Sequence, residues 1–252
     1  MARTARQAAL ICSIDLPAMS GDASTPHPWL QALAQELAAC DAPVTMTLLD
    51  MAPAGYVHSL FSLQHELALR VEASWGHPEA GRPAFAQTLR SQLQVAQAQG
   101  VTVTTLAWGD FPLTPHTDLL VKLGISAVRM SSAAMKTGLL RLKAPAAAAP
   151  GQMIRYGLWT APAVAQWRPG QSIRTIRRPL AQAAAEGMAH LICDFSQVRL
   201  DAPLDPSFRQ ALLELTRHRH NGAMQVQTIG QFADSRLPAR PSAPAQSILR
   251  AA

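Results

Sequence analysis

The sequence predicts an α/β protein, a distorted (β/α) barrel of about seven parallel strands with helices outside. Three observations carry this expectation. Short apolar, β-like runs alternate along the chain with longer runs of helical spacing. No glycine-rich GxGxxG loop follows the first strand; "CSIDLPAMSGD" ends it on a carboxylate and continues with a proline, which weakens the dinucleotide-binding version of a competing open, doubly wound sheet. The count of β–α repeats and the length of 252 residues both suit a barrel.

In chain order, "AALICSI" (8–14) reads as the first strand and "WLQALAQELAAC" (29–40) as a helix with apolar residues at helical spacing. "APVTMTLLD" (42–50) is β-rich and ends on a carboxylate, and "HELALRV" (65–71) is the next strand. "RPAFAQTLRSQLQVAQAQG" (82–100) is a helix with Pro83 in its first turn and Gly100 as a stop. "VTVTTLAW" (101–108) is β-branched and strand-like; "PHTDLLVKLG" (115–124) is a helix ended by Gly124, followed by the strand "ISAVRM" (125–130). "KAPAAAAPG" (143–151) reads as a loop, and "QMIRYGLW" (152–159) as a candidate strand. A helix within 169–187 stopped by Gly187, the buried strand "AHLICDF" (189–195), a helix at 205–222 capped by Asp205 with Pro206 in first position, and a last strand "AMQVQTI" (223–229) with a short helix after it complete the pattern. One domain is expected over residues 1–234, with a Pro/Ala-rich, flexible tail at 235–252.

Hydrophobic residues make up 48% and charged residues 15%, enough for a core over most of the length. The net charge of +6 is arginine spread thinly, with no basic stripe interleaved with aromatics, so no nucleic-acid partner is expected. No stretch approaches the ~20 apolar residues of a membrane span. The start, "MARTARQAALICSI", lacks the features of a secretory signal, and a cytoplasmic location is expected. Cys12, Cys40 and Cys193 show no metal or redox spacing and read as buried, reduced thiols.

In a barrel the functional face is formed by the C-terminal ends of the strands. Those positions collect Asp15, Asp50, Arg70, Glu72, Trp75, Trp108, Asp110, Arg129, Trp159 and Asp194. Clustered carboxylates could push their pKa values apart, one acid holding a proton while another stays ionised. Arg70 and Arg129 could instead pair with them and make a polar floor for hydroxyls or an anionic substituent. Trp75, Trp108 and Trp159 are candidate platforms for sugar rings.

The order of these elements resembles the polysaccharide deacetylase family of carbohydrate esterases. "CSID" matches the family's aspartate motif with Asp15, "HELALRVEAS" matches the opening of its histidine region at His65, Glu66, Leu67 and Ala68, "ISAVRM" places its arginine at Arg129, and "YGLWTAP" places its tryptophan at Trp159. "HLICDF" puts Asp194 where the family ends near a catalytic histidine. The resemblance covers most of residues 8–232 and implies a metal-dependent deacetylase barrel. The departures fall on the metal ligands. Leu16 follows Asp15 where a second aspartate belongs, and Arg70 and Ser74 stand where the two ligand histidines belong. A guanidinium has no lone pair to give a metal and repels it. His65 lies at the far end of its strand and His77 in a loop; His218 and His220 sit on a helix end. No metal and no cofactor are therefore expected.

The leading expectation is a deacetylase-like pseudoenzyme that binds a saccharide or related polyol through Arg70, Trp75, Trp108, Arg129 and Trp159. One alternative is a metal-independent enzyme acting on a carbohydrate, with Asp15 or Glu72 as base and Asp194 as acid. Another is an accessory factor in polysaccharide synthesis that docks a protein partner through the tail.

Overall fold

Strand β1 (Ala8–Asp15), buried along all but its first residue, is the axis of the sheet. The structure is a computed structural model that describes residues 8–19, 27–61, 64–130, 157–185, 187–220 and 224–236. The other strands are β2 (Thr45–Leu48), β3 (Glu66–Val71), β4 (Thr105–Trp108), β5 (Ala127–Met130), β6 (Trp159–Pro162), β7 (Ala165–Trp167), β8 (Met188–Asp194) and β9 (Met224–Gln227). Helices α1 (Pro28–Cys40), α2 (Ala54–Leu60), α3 (Ala73–Gly76), α4 (Arg82–Ala98), α5 (Thr117–Lys122), α6 (Arg174–Ala185), α7 (Pro206–His220) and α8 (Ile229–Arg236) lie between and after them.

All pairings are parallel, and the strands follow the order β6-β5-β4-β3-β2-β1-β8-β7. The two ends of that path are neighbours in the chain, separated by Ala163 and Val164. The Val164 amide donates to the His190 carbonyl at 3.0 Å. Residues 159–167 thus run as one bent stave that pairs with β5 through its first part and with β8 through its last, and the sheet returns on itself. Seven staves result, as the sequence predicts. β9 is the exception to the simple barrel: it shares one edge of β1 with β2, pairing with Ala8–Ile11 while β2 pairs with Ser13–Asp15.

Strand parity divides the apolar residues into two cores. Leu10, Cys12 and Ile14 of β1 face outward and pack with Leu30, Leu33 and Leu37 of α1, Phe85 and Leu89 of α4, and Phe208, Leu212 and Leu215 of α7. Ala9 and Ile11 face inward, with Ala127, Ala161 and Met188. These small and medium residues leave space in the lumen, and α8 fills it with Ile229, Phe232 and Ala233. Glu66, at the start of β3, fastens that helix. Its carboxylate accepts the Gly230 amide at 2.9 Å and the Thr45 hydroxyl at 2.8 Å, and the Thr105 hydroxyl also donates to it. The Ile229 amide donates to Thr45 Oγ1 at 2.9 Å. The first amides of α8 thereby find acceptors, and a negative charge meets the positive end of the helix. Position 230 needs glycine for this, since a Cβ there would lie 2.8 Å from Glu66 Oε1.

Most expected elements are present. Gly187, the expected stop after α6, has φ of +94° and turns the chain into β8 as only glycine does readily. Asp205 accepts the Ser207 amide at 2.8 Å at the start of α7. The differences lie at short elements. Of the strand expected over 152–159, residues 152–156 lie outside the described residues; β6 begins at Trp159, so that residue stands at the start of its stave rather than the end. β4 begins at Thr105 rather than residue 101, and β7, α2 and α3 have no counterpart in the sequence reading. Cys12 and Cys193 are buried free thiols as expected, whereas Cys40 in the last turn of α1 is only half-buried. Ser235 and Arg236 belong to α8; the remainder of the expected tail, 237–252, and the loop at 143–151 lie outside the described residues. No described helix is long and apolar enough to cross a membrane.

Because Phe232 is 1% exposed in the lumen core, Phe232→Ala should lower the unfolding free energy by about 3–5 kcal/mol in a denaturant titration. Leu213→Ala on the exposed face of α7 should change it by less than about 0.5 kcal/mol.

Candidate functional site

The lumen mouth at the C-terminal ends of the strands is built from alternate residues. On β1, Ser13 and Asp15 share the inward parity of Ile11. Asp15 registers with Thr47 of β2 and with Asp194 of β8. Arg70, Ala107, Arg129 and Ala161 form a second inward row across β3, β4, β5 and β6.

Arg129 crosses the lumen. Its strand is not a neighbour of β1, yet its Nη1 lies 2.6 Å from Asp15 Oδ1, with side chains only 6% and 9% exposed. The approach is a close ionic contact outside hydrogen-bond alignment, and Arg129 Nε has no partner. The Thr47 hydroxyl donates to the same Asp15 oxygen. A pair so enclosed is costly to desolvate, and removing either member strands the other charge.

Below it, Ser13 and His190, both fully buried, are joined at 2.6 Å between Oγ and Nε2. His190 Nδ1 lies 3.2 Å from the Ala161 carbonyl. A carbonyl oxygen only accepts, so Nδ1 carries the hydrogen, and in the neutral ring Nε2 accepts from Ser13. This contact ties β1, β8 and β6 together inside the lumen.

Asp194 is enclosed by donors. Its Oδ2 accepts Gln166 Nε2 at 2.9 Å and Arg168 Nε at 3.0 Å; its Oδ1 accepts the Ser196 hydroxyl at 2.6 Å and the Ser196 amide at 3.0 Å. Burial alone would raise its pKa, but the Ser196 and Arg168 bonds outweigh burial and hold the carboxyl below the ordinary aspartate value. A group so placed stays ionised, which opposes the role of acid expected for it.

The remaining sequence-predicted residues are scattered. Arg70 is half-buried and inward-facing. Glu72 is exposed in the N-cap position of α3. The three tryptophans do not line the mouth as expected. Trp108 registers with Val71 and Met130, the outward parity; it is 2% exposed, packs on Phe85 and Phe111, and donates its indole N–H to the Phe111 carbonyl at 3.0 Å. Trp75 stacks on Phe85 at 5.6 Å in the same outer cluster. Trp159 packs on the lumen core around α8, at the opposite end of the barrel from Asp15. His65 lines a cavity of about 250 Å³ with Glu66 and Gln231, also at that opposite end. Ser13, Thr47, Gln166, Arg168 and His190 are additions the sequence reading did not single out.

No family model and no curated protein matches the sequence. Solved structures do. A probable polysaccharide deacetylase from Pseudomonas aeruginosa PAO1 superimposes with a TM-score of 0.58 at 10% identity, covering 90% of this chain and 89% of that one. The Bc1960 peptidoglycan N-acetylglucosamine deacetylase gives 0.55 at 8% identity, covering 90% and 88%. The chain has the barrel fold of the polysaccharide deacetylases. PuuE allantoinase shares this deacetylase-type barrel, with a TM-score of 0.53 at 11% identity over 90% of this chain and 89% of that one.

The metal that the deacetylase resemblance implies does not fit the residues present. The single carboxylate at the end of β1 already holds a hydroxyl and a guanidinium on one oxygen, and Arg70 stands in the inward row where a donor would be needed. A divalent cation there would replace no repulsion and meet too few donors. Among the described residues no group of three or more His, Cys, Asp or Glu side chains is arranged to hold a metal.

Two outcomes follow. Arg129→Met and Asp15→Asn should each cost about 3–5 kcal/mol of stability, while the double variant should cost clearly less than their sum; a denaturant double-mutant cycle measures it. Because the folded pKa of Asp194 lies below its unfolded value near 3.9, its contribution is complete above that value and is lost as pH falls through the lower folded one. Asp194→Asn should therefore flatten the acid limb of the stability–pH curve measured between about pH 5 and 2.

Proposed function

We propose that this protein is a deacetylase-like pseudoenzyme that binds a saccharide at the C-terminal mouth of the barrel without metal-dependent deacetylation. One observation carries the reading: the inward row at the mouth holds Arg70, where the resemblance calls for a ligand histidine, beside a carboxylate, Asp15, already taken up by Arg129. The site is thereby turned from an electrophile holder into an array of hydrogen-bond donors and acceptors suited to hydroxyls. The fold shared with two polysaccharide deacetylases favours a carbohydrate over other small ligands by analogy. Sugar stacking on Trp75, Trp108 or Trp159 forms no part of this reading, since two lie in the outer aromatic cluster and one at the far end of the lumen. The alternative of carboxylate catalysis is the weaker one, because Asp194 is held ionised by Ser196 and Arg168.

The reading is tested on purified full-length protein by metal analysis, by acetate release from N-acetylated oligosaccharides with and without added zinc or cobalt, and by calorimetric titration with oligosaccharides. Substoichiometric metal, no acetate release and saccharide binding indifferent to chelators are expected. A stoichiometric divalent metal, or acetate release that a chelator abolishes, would overturn the proposal.

A further inference from the structure

The inward row Arg70–Ala107–Arg129–Ala161 alternates long cations with methyl groups. Adjacent strands lie about 4.8 Å apart, so the backbones carrying Arg70 and Arg129 are about 10 Å apart with only an alanine between them. The two arginines thus share one inward row with no long side chain on the strand between them. Arg129 is 5% exposed, and its guanidinium lies in the lumen because it reaches a strand across it. Its Nε is buried without a hydrogen-bond partner. Arg70 is half-buried and has no hydrogen-bond or ion-pair partner among the described residues.

Among the described residues at the mouth, Asp15 is answered by Arg129 and Asp194 by Arg168, and Arg70 has no ion-pair partner. The carboxylates that follow β2, β3 and β4, namely Asp50, Glu72 and Asp110, are all exposed, where water and salt weaken their hold on a half-buried cation. A planar fork of N–H donors beside a second, partly unmet guanidinium matches a carboxylate, whose two oxygens can be shared between them. A neutral sugar would leave those donors unpaired.

We propose that Arg70 and Arg129 together bind the carboxylate of an acidic saccharide, a uronic acid residue at the end of or within an oligosaccharide. The inference rests on the saccharide reading above and narrows it to an anionic class. Arg70 supplies the charge that selects the ligand, and Arg129, held by Asp15, supplies the second guanidinium.

The test is calorimetric titration of the full chain with a uronic-acid oligosaccharide and with its carboxyl-reduced, uncharged counterpart, at low and high salt, for the unaltered protein and for Arg70→Gln and Arg70→Lys. Arg70 makes no hydrogen bond or ion pair among the described residues, so both variants should keep the melting temperature to within about 2 °C. The acidic ligand should bind at least about tenfold more tightly than the reduced one at low salt, and Arg70→Gln should remove that preference. Salt should weaken the acidic ligand alone, and Arg70→Lys should retain part of the preference. Equal binding of both ligands, or acidic binding unchanged by Arg70→Gln, overturns the inference and leaves the saccharide reading standing. Binding of neither ligand overturns both.

Discussion

A ring of seven parallel staves encloses a lumen, and a lumen inside a protein has to be filled without leaving polar groups unpaired. The barrel meets this constraint at three heights. At the N-terminal ends of the strands, Ile229, Phe232 and Ala233 of α8 enter as an apolar plug, with Glu66 fastening the helix. At mid-height the Ser13–His190 contact spans β1 and β8 and reaches the Ala161 carbonyl. At the mouth, Arg129 crosses to Asp15. Among the described residues, Arg129 Nε has no hydrogen-bond partner and Arg70 no hydrogen bond or ion pair at the top.

The ion pair at the mouth occupies the carboxylate that a metal set among the described residues would have to use. A carboxylate can neutralise a bound cation or a guanidinium of its own chain. Here it does the second, and among the described residues Arg70 stands in the inward row without an ion-pair partner.

Much of the fold is legible in the sequence because β1, β3 and β8 are long and buried, and because α1, α4 and α7 carry a clear helical period. The stave at 159–167 is not, since it is built from two short strands around "TAPAVAQW" and pairs on both edges with little apolar pattern of its own. Strand ends name the rim only together with parity. Asp15, Arg70, Arg129 and Asp194 have the inward parity, and of these Arg129 reaches Asp15. Trp108 is one residue out of step with Ala107 and so faces the helices, and Trp159 opens its strand instead of closing it. Ser13 and His190 lie inside apolar runs, two and four residues before Asp15 and Asp194, and that spacing is the signal in the sequence that a lumen contact existed.

The plug has a consequence for how the chain is made. β1 leaves the ribosome well before β9 and α8, yet its lower half pairs with β9 and its inward face packs against α8, both from the last tenth of the described chain. A nascent chain holding seven finished staves still has an empty lumen and an unpaired length of its first strand. Such a chain offers a ready seat for misplaced apolar segments or a neighbour's terminus until residue 236 emerges. The cell's own synthesis thus presents, briefly and in every copy, a barrel waiting for its stopper.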